Sequence, residues 1–216
     1  MKGGWTTLAD EIEVIFKDFK TFTFNDARMV LRYRHKSISD KTIQVTLSRM
    51  AARKRIYQLT KGVYSLEKRD EIAGFAFAPF YYGGLAALMI RDMIDDQVKM
   101  EIMTTHRVKA SFIAVFGGSS TIVLHHIQRK YYFGFEDLKY GDITVPVSDP
   151  EKTLIDLFYY RVKIAIQDYS ELLRAVNTKK LARYLKVYNK RTASMVMEFV
   201  KEHKEPADSG KLENPY

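Results

Sequence analysis

Ten basic side chains and a single acidic one, Asp40, lie between Arg28 and Lys61. Arg34, Lys36, Lys41, Arg49, Arg53 and Lys61 are spread through that window, with the hydroxyl residues Thr42 and Ser48 among them. A guanidinium can bond guanine O6 and N7 together, and ammonium and hydroxyl groups bond phosphate oxygens. The chemistry on offer is recognition of nucleic acid. The surplus is local: residues 1–70 hold fifteen basic and eight acidic residues, a balance of +7, and residues 71–216 hold twenty and eighteen, a balance of +2. Duplex DNA carries a charge per roughly 1.7 Å of axis, which a focused basic surface attracts. From charge alone, a solvated basic face is the competing reading.

Covalent and metal chemistry find little support. The chain has no cysteine, which excludes disulfides, thiolate zinc sites and cysteine nucleophiles. The five histidines, His35, His106, His125, His126 and His203, form no H-x-x-x-H or H-E-x-x-H pattern. His125 and His126 adjoin in a predicted strand and point to opposite faces, which does not suit joint ligation. Gly117-Gly118-Ser119-Ser120 resembles the Gly-Ser of nucleotidyltransferases, but Thr121 to Leu124 supplies no carboxylate pair for magnesium, so it reads as a loop between strands. There is no G-x-x-x-x-G-K-[ST] loop and no G-x-G-x-x-G. Asp95-Asp96 reads as a solvated turn. Phe75, Phe77, Phe80, Tyr81 and Tyr82 could stack on bases, but core or interface packing is the plainer reading. The expectation is a non-enzymatic protein with no metal and no cofactor.

The elements that must position the basic window follow from periodicity. Trp5 to Phe19 predicts an amphipathic helix with Leu8, Ile12, Ile15, Phe16 and Phe19 at three- and four-residue spacing. A short extended piece, Thr21 to Phe24, follows. A second helix, capped by Asn25 or Thr23, turns Ala27, Val30 and Leu31 inward. Either Ser37 or Ser39 can cap the third helix, about Ser39 to Lys54, and Ser37 with Asp40 fits a capping box. Its inner stripe is Ile43, Thr46, Leu47, Met50 and Lys54. Its outer face, Lys41, Thr42, Val45, Ser48, Arg49 and Ala52, has no long hydrophobic or acidic residue to obstruct a major groove. Ile56, Val63 and Tyr64 favour strands, and Thr60-Lys61-Gly62 a hairpin turn. Three helices and a hairpin in this order predict a winged helix-turn-helix over residues 1–70, with the third helix reading bases and the hairpin as wing. Lys41, Thr42, Ser48 and Arg49 are assigned to the groove. Arg34, His35, Lys36, Arg53 and Lys61 are assigned to phosphate, and Arg55 is open to a structural role.

The charged run Glu67 to Glu71 marks the boundary, and residues 71–204 form a second domain of α+β character. A helix is expected over Tyr81 to Met93. Extended segments are expected over Lys99 to Thr104, Ser111 to Phe116, Thr121 to Ile127, Tyr131 to Phe133 and Ile143 to Val147. Ser148-Asp149-Pro150-Glu151 starts a helix, through a Ser148–Glu151 box or with Asp149 as cap and Pro150 in the first turn; Leu154, Ile155, Phe158 and Val162 face inward. Further helices are expected over Asp168 to Val176, Thr178 to Tyr188 and Arg191 to Lys204, and residues 205–216 read as a polar tail. No apolar run reaches the roughly 20 residues of a membrane span, and the first residues lack a secretory signal, so a cytoplasmic protein without membrane contact is expected.

Several segments together resemble a family. They are the basic N-terminal domain, Tyr82-Gly83-Gly84-Leu85-Ala86-Ala87-Leu88, Thr104-Thr105, His126-Ile127, Tyr131-Tyr132-Phe133-Gly134, and Ile143-Thr144-Val145-Pro146-Val147-Ser148-Asp149-Pro150-Glu151-Lys152-Thr153-Leu154-Ile155-Asp156. From about Asp10 to Tyr160 the chain resembles the AbiEi antitoxins, regulators of viral defence (abortive infection) systems. The resemblance implies a transcriptional regulator that represses its own promoter on an inverted-repeat operator, as monomer or homodimer. It also implies a C-terminal domain acting against a cognate nucleotidyltransferase toxin. The family pattern often has serine near Gly83 or Gly84, where this chain has glycine. The alternatives are a ligand-responsive winged-helix regulator without a toxin, and a nucleic-acid-processing enzyme.

Overall fold

The computed structural model describes residues 7–95, 97–162 and 169–203. The expected tail over 205–216, Trp5 in the first helix, and Asp96 of the expected Asp95-Asp96 turn lie outside them. The chain is α+β and divides into two compact units, one of residues 1–80 with 102–126 and one of 81–101 with 127–216. The units interleave along the chain, whereas the sequence reading drew one cut near residue 70. The difference arises because residues 102–126 return to the first unit.

Unit 1 begins with α1 (Leu8–Phe16), β1 (Phe22–Thr23), α2 (Phe24–Arg34), α3 (Asp40–Ala52), β2 (Tyr57–Thr60) and β3 (Val63–Ser65). Thr7 and Thr23 start the first two helices with full capping boxes, closed by Asp10 and Asp26. Ser39 caps α3 by accepting from the Thr42 amide, so the Ser37–Asp40 box does not form. The inner faces meet in one core of Ile12, Phe16, Phe22, Ala27, Leu31, Ile43, Leu47, Met50 and Ile56. Phe16 stacks on Phe22 at 4.2 Å between ring centres. α1 ends at Phe16, and Phe19, expected inside, is 58% exposed. Lys54, expected on the inner stripe of α3, lies beyond its end, exposed, with φ at +57°. β1 and β2 both pair antiparallel with β3, and Gly62 takes φ +77° at the hairpin tip, which glycine does without steric cost.

The remaining strands are β4 (Phe80–Tyr82), β5 (Glu101–Thr104), β6 (Phe112–Val115), β7 (Ser120–His126), β8 (Phe135–Tyr140) and β9 (Ile143–Ser148), and β9 pairs with β4 on one side and β8 on the other. In unit 1, Gly117-Gly118-Ser119 joins the antiparallel pair β6 and β7. In unit 2 the helices are α4 (Gly84–Ile90), α5 (Pro150–Tyr159), α6 (Tyr169–Ala175), α7 (Thr178–Leu185) and α8 (Lys190–His203). The helix expected over Tyr81 to Met93 is instead β4 followed by the shorter α4. Tyr82 pairs with Val147, and Gly84 turns the chain with φ +55°. The strand expected over Tyr131 to Phe133 is a tight turn at Arg129–Tyr131, and the extended piece is β8, paired with β9 from Phe135↔Ser148 to Tyr140↔Ile143. β8 carries Glu136, Asp137 and Lys139 at the sheet edge, so it lacks the apolar run that marks a buried strand. Of the two starts open for α5, Asp149 is the cap, accepting from the Lys152 amide, with Pro150 in the first turn. No helix among the described residues is long and apolar enough to cross a membrane.

Candidate nucleic-acid interface

α3 buries Ile43, Leu47 and Met50 and turns its other side outward. Lys41, Thr42, Val45, Ser48, Arg49 and Ala52 are all exposed, as are Arg53 at the helix end and Lys61 at the hairpin tip. Ile43, Leu47 and Met50 anchor the helix while Lys41, Ser48 and Arg49 project away, which follows from 100° per residue. Gln44 is exposed on the same arc, three residues from Lys41 and four from Ser48. A glutamine there can bond adenine N6 and N7 together. Sequence reasoning passed over it, although the helical spacing 41-44-48 was available.

The charges around α3 are sorted by their partners. Asp40, the single acid of the basic window, lies 3.0 Å from Arg32 and 3.8 Å from Arg28. Those two arginines of α2 therefore screen the carboxylate at the start of α3. Arg34 reaches Glu11 at 4.0 Å, and His35 Nε2 meets the same carboxylate at 3.0 Å. Arg55 is structural: its Nε meets Glu13 at 2.6 Å and its Nη2 meets Asp10 at 2.6 Å, tying the segment after α3 to α1. The hydrogen bond from Arg55 holds the Asp10 carboxyl down at about 2, and Glu13 is lowered by the same guanidinium. Lys36, Lys41, Arg49, Arg53 and Lys61 make no ion pair among the described residues. The Thr42 hydroxyl is bonded to that of Ser39 at 2.9 Å, so it supports the helix start as well as facing out. An open hollow of about 400 Å3 at that start is lined by Leu8, His35, Ser37, Ile38, Ser39 and Thr42.

Unit 2 holds a different kind of site, built on the segment Ser148 to Asp156. Residues 151–157 of α5 are all buried, including Glu151, Lys152 and Asp156. Each buried charge has a partner, as burial requires. Lys152 pairs with Asp156 one turn on, and the Tyr81 hydroxyl donates to Asp156 at 2.9 Å. Lys180 lies 2.8 Å from Glu151 and 3.1 Å from Asp149. The Asn177 amide donates to Glu151 at 2.6 Å, and the Tyr184 hydroxyl donates to Asp149 at 2.8 Å. Burial pushes the Lys152 ammonium below its ordinary range, against the pull of Asp156 and Asp149. Burial likewise drives Tyr184 up to about 12 and Tyr81 well above the usual phenol range, with Asp156 adding to the second. Burial also works against the Glu151 carboxylate, but Lys180 and the Asn177 amide outweigh it and hold the group below its ordinary value. This network braces α5 from Asp149 to Asp156. Among the described residues no three His, Asp or Glu side chains gather to hold a metal.

No protein-family model matches the chain, and no curated protein matches it. Among solved structures, the crystal structure of the Rv2827c protein from Mycobacterium tuberculosis is similar with a TM-score of 0.64 at 13% identity, over 90% of this chain and 76% of that one. At that identity the likeness is one of fold.

Proposed function

We propose that this protein is a DNA-binding transcriptional regulator whose residues 7–66 form a winged helix-turn-helix. In this reading α3 enters a major groove and the β2–β3 hairpin lies along the backbone. The observation that carries it is the outer face of α3. Lys41, Gln44, Ser48 and Arg49 are exposed together, Lys41 and Arg49 with no counter-ion among the described residues, and the nearby acid is held by Arg28 and Arg32. Arg49 and Gln44 have the geometry for base edges, and Lys36, Arg53 and Lys61 for phosphates. Arg34 shares its charge with Glu11 and contributes less. A role against a nucleotidyltransferase toxin rests on the AbiEi resemblance alone. The charged residues of its most specific segment, Asp149 to Asp156, are occupied inside unit 2.

The test is titration of the protein against its own upstream DNA and scrambled DNA at two salt concentrations, beside Arg49→Ala. Arg49→Ala is expected to lose about 1–3 kcal/mol on the specific site and much less on scrambled DNA. Equal losses on both DNAs remove Arg49 from base reading. Absence of binding by the intact protein ends the regulator reading.

A further inference from the structure

Unit 2 carries a second basic surface. From Leu172 to Met197 there are seven basic residues and no acidic one. Two are neutralised, Arg174 by Glu171 and Lys180 by Asp149 and Glu151. Arg191 is not, and neither is Arg161 at the end of α5; both are exposed and make no ion pair among the described residues. These two arginines line one cleft of about 250 Å3 with Phe158, Tyr159, Asn189 and Thr192.

Both arginines occupy positions where an arginine is locally unfavourable. Arg161 sits at φ +55° just past α5, where the Val162 amide closes the helix on Leu157 O; glycine takes that conformation without cost. Arg191 lies in the first turn of α8, which Asn189 caps, and a cation there opposes the helix dipole. By contrast α1, α2, α3 and α5 each carry an acid in the first turn. Two like charges lining one cleft, with no counter-ion among the described residues, is the arrangement an anion completes, and the guanidinium fork matches phosphate in two parallel bonds. Phe158 and Tyr159, both half-buried, and Met195, 42% exposed, also line the cleft and place apolar atoms beside the charge. The volume is near the lower end of small-ligand pockets, about 300 Å3.

We propose that this cleft binds a nucleoside monophosphate, with the phosphate between Arg161 and Arg191 and the base against the Tyr159 and Met195 side. The site is independent of the α3 interface. The test is calorimetric titration of the full chain with the four ribonucleoside 5′-monophosphates, their unphosphorylated nucleosides and inorganic phosphate. At least one monophosphate is expected to bind, with its nucleoside and inorganic phosphate each about tenfold weaker or more. Arg161→Gly and Arg191→Ala are each expected to weaken it about tenfold. Neither variant is expected to lower the melting temperature, since each relieves a local cost. Lys139→Ala, on exposed β8, is expected to bind as the wild type does. Binding by no monophosphate, binding unchanged in both arginine variants, or inorganic phosphate binding as well as the nucleotide would each overturn the proposal.

Discussion

Replacing Lys152 with methionine keeps most of the side-chain volume and removes one charge from the buried Lys152–Asp156 pair. Lys152 is 0% exposed and Asp156 1% exposed, so water cannot take over. The Asp156 carboxylate would keep the Tyr81 hydroxyl at 2.9 Å and face rings on the other side, since Lys152 Nζ lies 5.3 Å from the Tyr81 ring centre, 5.9 Å from Phe133 and 5.7 Å from Tyr188. Removing one member of such a pair costs about 3–5 kcal/mol. At roughly 2–4 °C per kcal/mol for a chain of this length, the melting temperature should fall by about 6–20 °C. The loss should depend on pH in a defined direction. With no ammonium beside it, burial in Lys152→Met is expected to favour the protonated Asp156 carboxyl in the folded protein over the unfolded chain. A carboxyl shifted upward contributes stability that is present below the unfolded pKa and lost as pH rises through the folded one. Lys152→Met should therefore recover stability relative to wild type as pH is lowered from 7 toward 4. In Lys152→Met/Asp156→Leu the pH dependence should vanish and the cost drop to about 1–3 kcal/mol, the remainder being the Tyr81 hydroxyl without its acceptor. Urea unfolding and thermal melts of the three proteins at several pH values give these quantities. A loss below about 1 kcal/mol for Lys152→Met, independent of pH, would refute the buried-pair account.

Lys61→Ala at the hairpin tip should weaken binding to specific and scrambled DNA alike and reduce the salt slope by about one, measured from log K against log salt. Arg55→Ala should destabilise unit 1 at neutral pH and flatten its response to acid. Asp10, held at about 2, and Glu13, also lowered, contribute stability present above their unfolded values and lost as pH falls from about 4 toward 2. Thermal melts of the two proteins across that range check it. Gly134→Ala should cost roughly 2–4 kcal/mol in urea unfolding, because φ is +73° and the new Cβ would stand 3.0 Å from Lys152 Cβ and 2.8 Å from the Tyr184 ring.

The basic window, the three N-terminal helices and the Lys61-Gly62 turn were legible because each is written in residues no more than four positions apart. Periodicity marked Ile43, Leu47 and Met50 as the inner face of α3, and Thr23 and Ser39 were among the caps open for α2 and α3, whereas Thr7 at the start of α1 was not read. β4 and β8 were not legible. Phe80-Tyr81-Tyr82 is buried throughout, so it shows no alternation, and β8 is an edge strand with charges along it. In α5, the apolar spacing of Leu154, Ile155 and Phe158 suggested one inward face, but the helix is covered on its polar side as well.

Charge content, helix periodicity, capping chemistry and the glycine turn were determined by the sequence itself, since they depend on neighbours along the chain. Which charges remain free was decided only by the tertiary structure. Asp40 is met by Arg28 and Arg32, Arg55 by Asp10 and Glu13, Asp156 by Tyr81, and Glu151 by Asn177 and Lys180. Those partners are from 8 to 75 residues away in the chain. No local pattern records them, because a buried charge is satisfied by whatever group folding brings within hydrogen-bond reach.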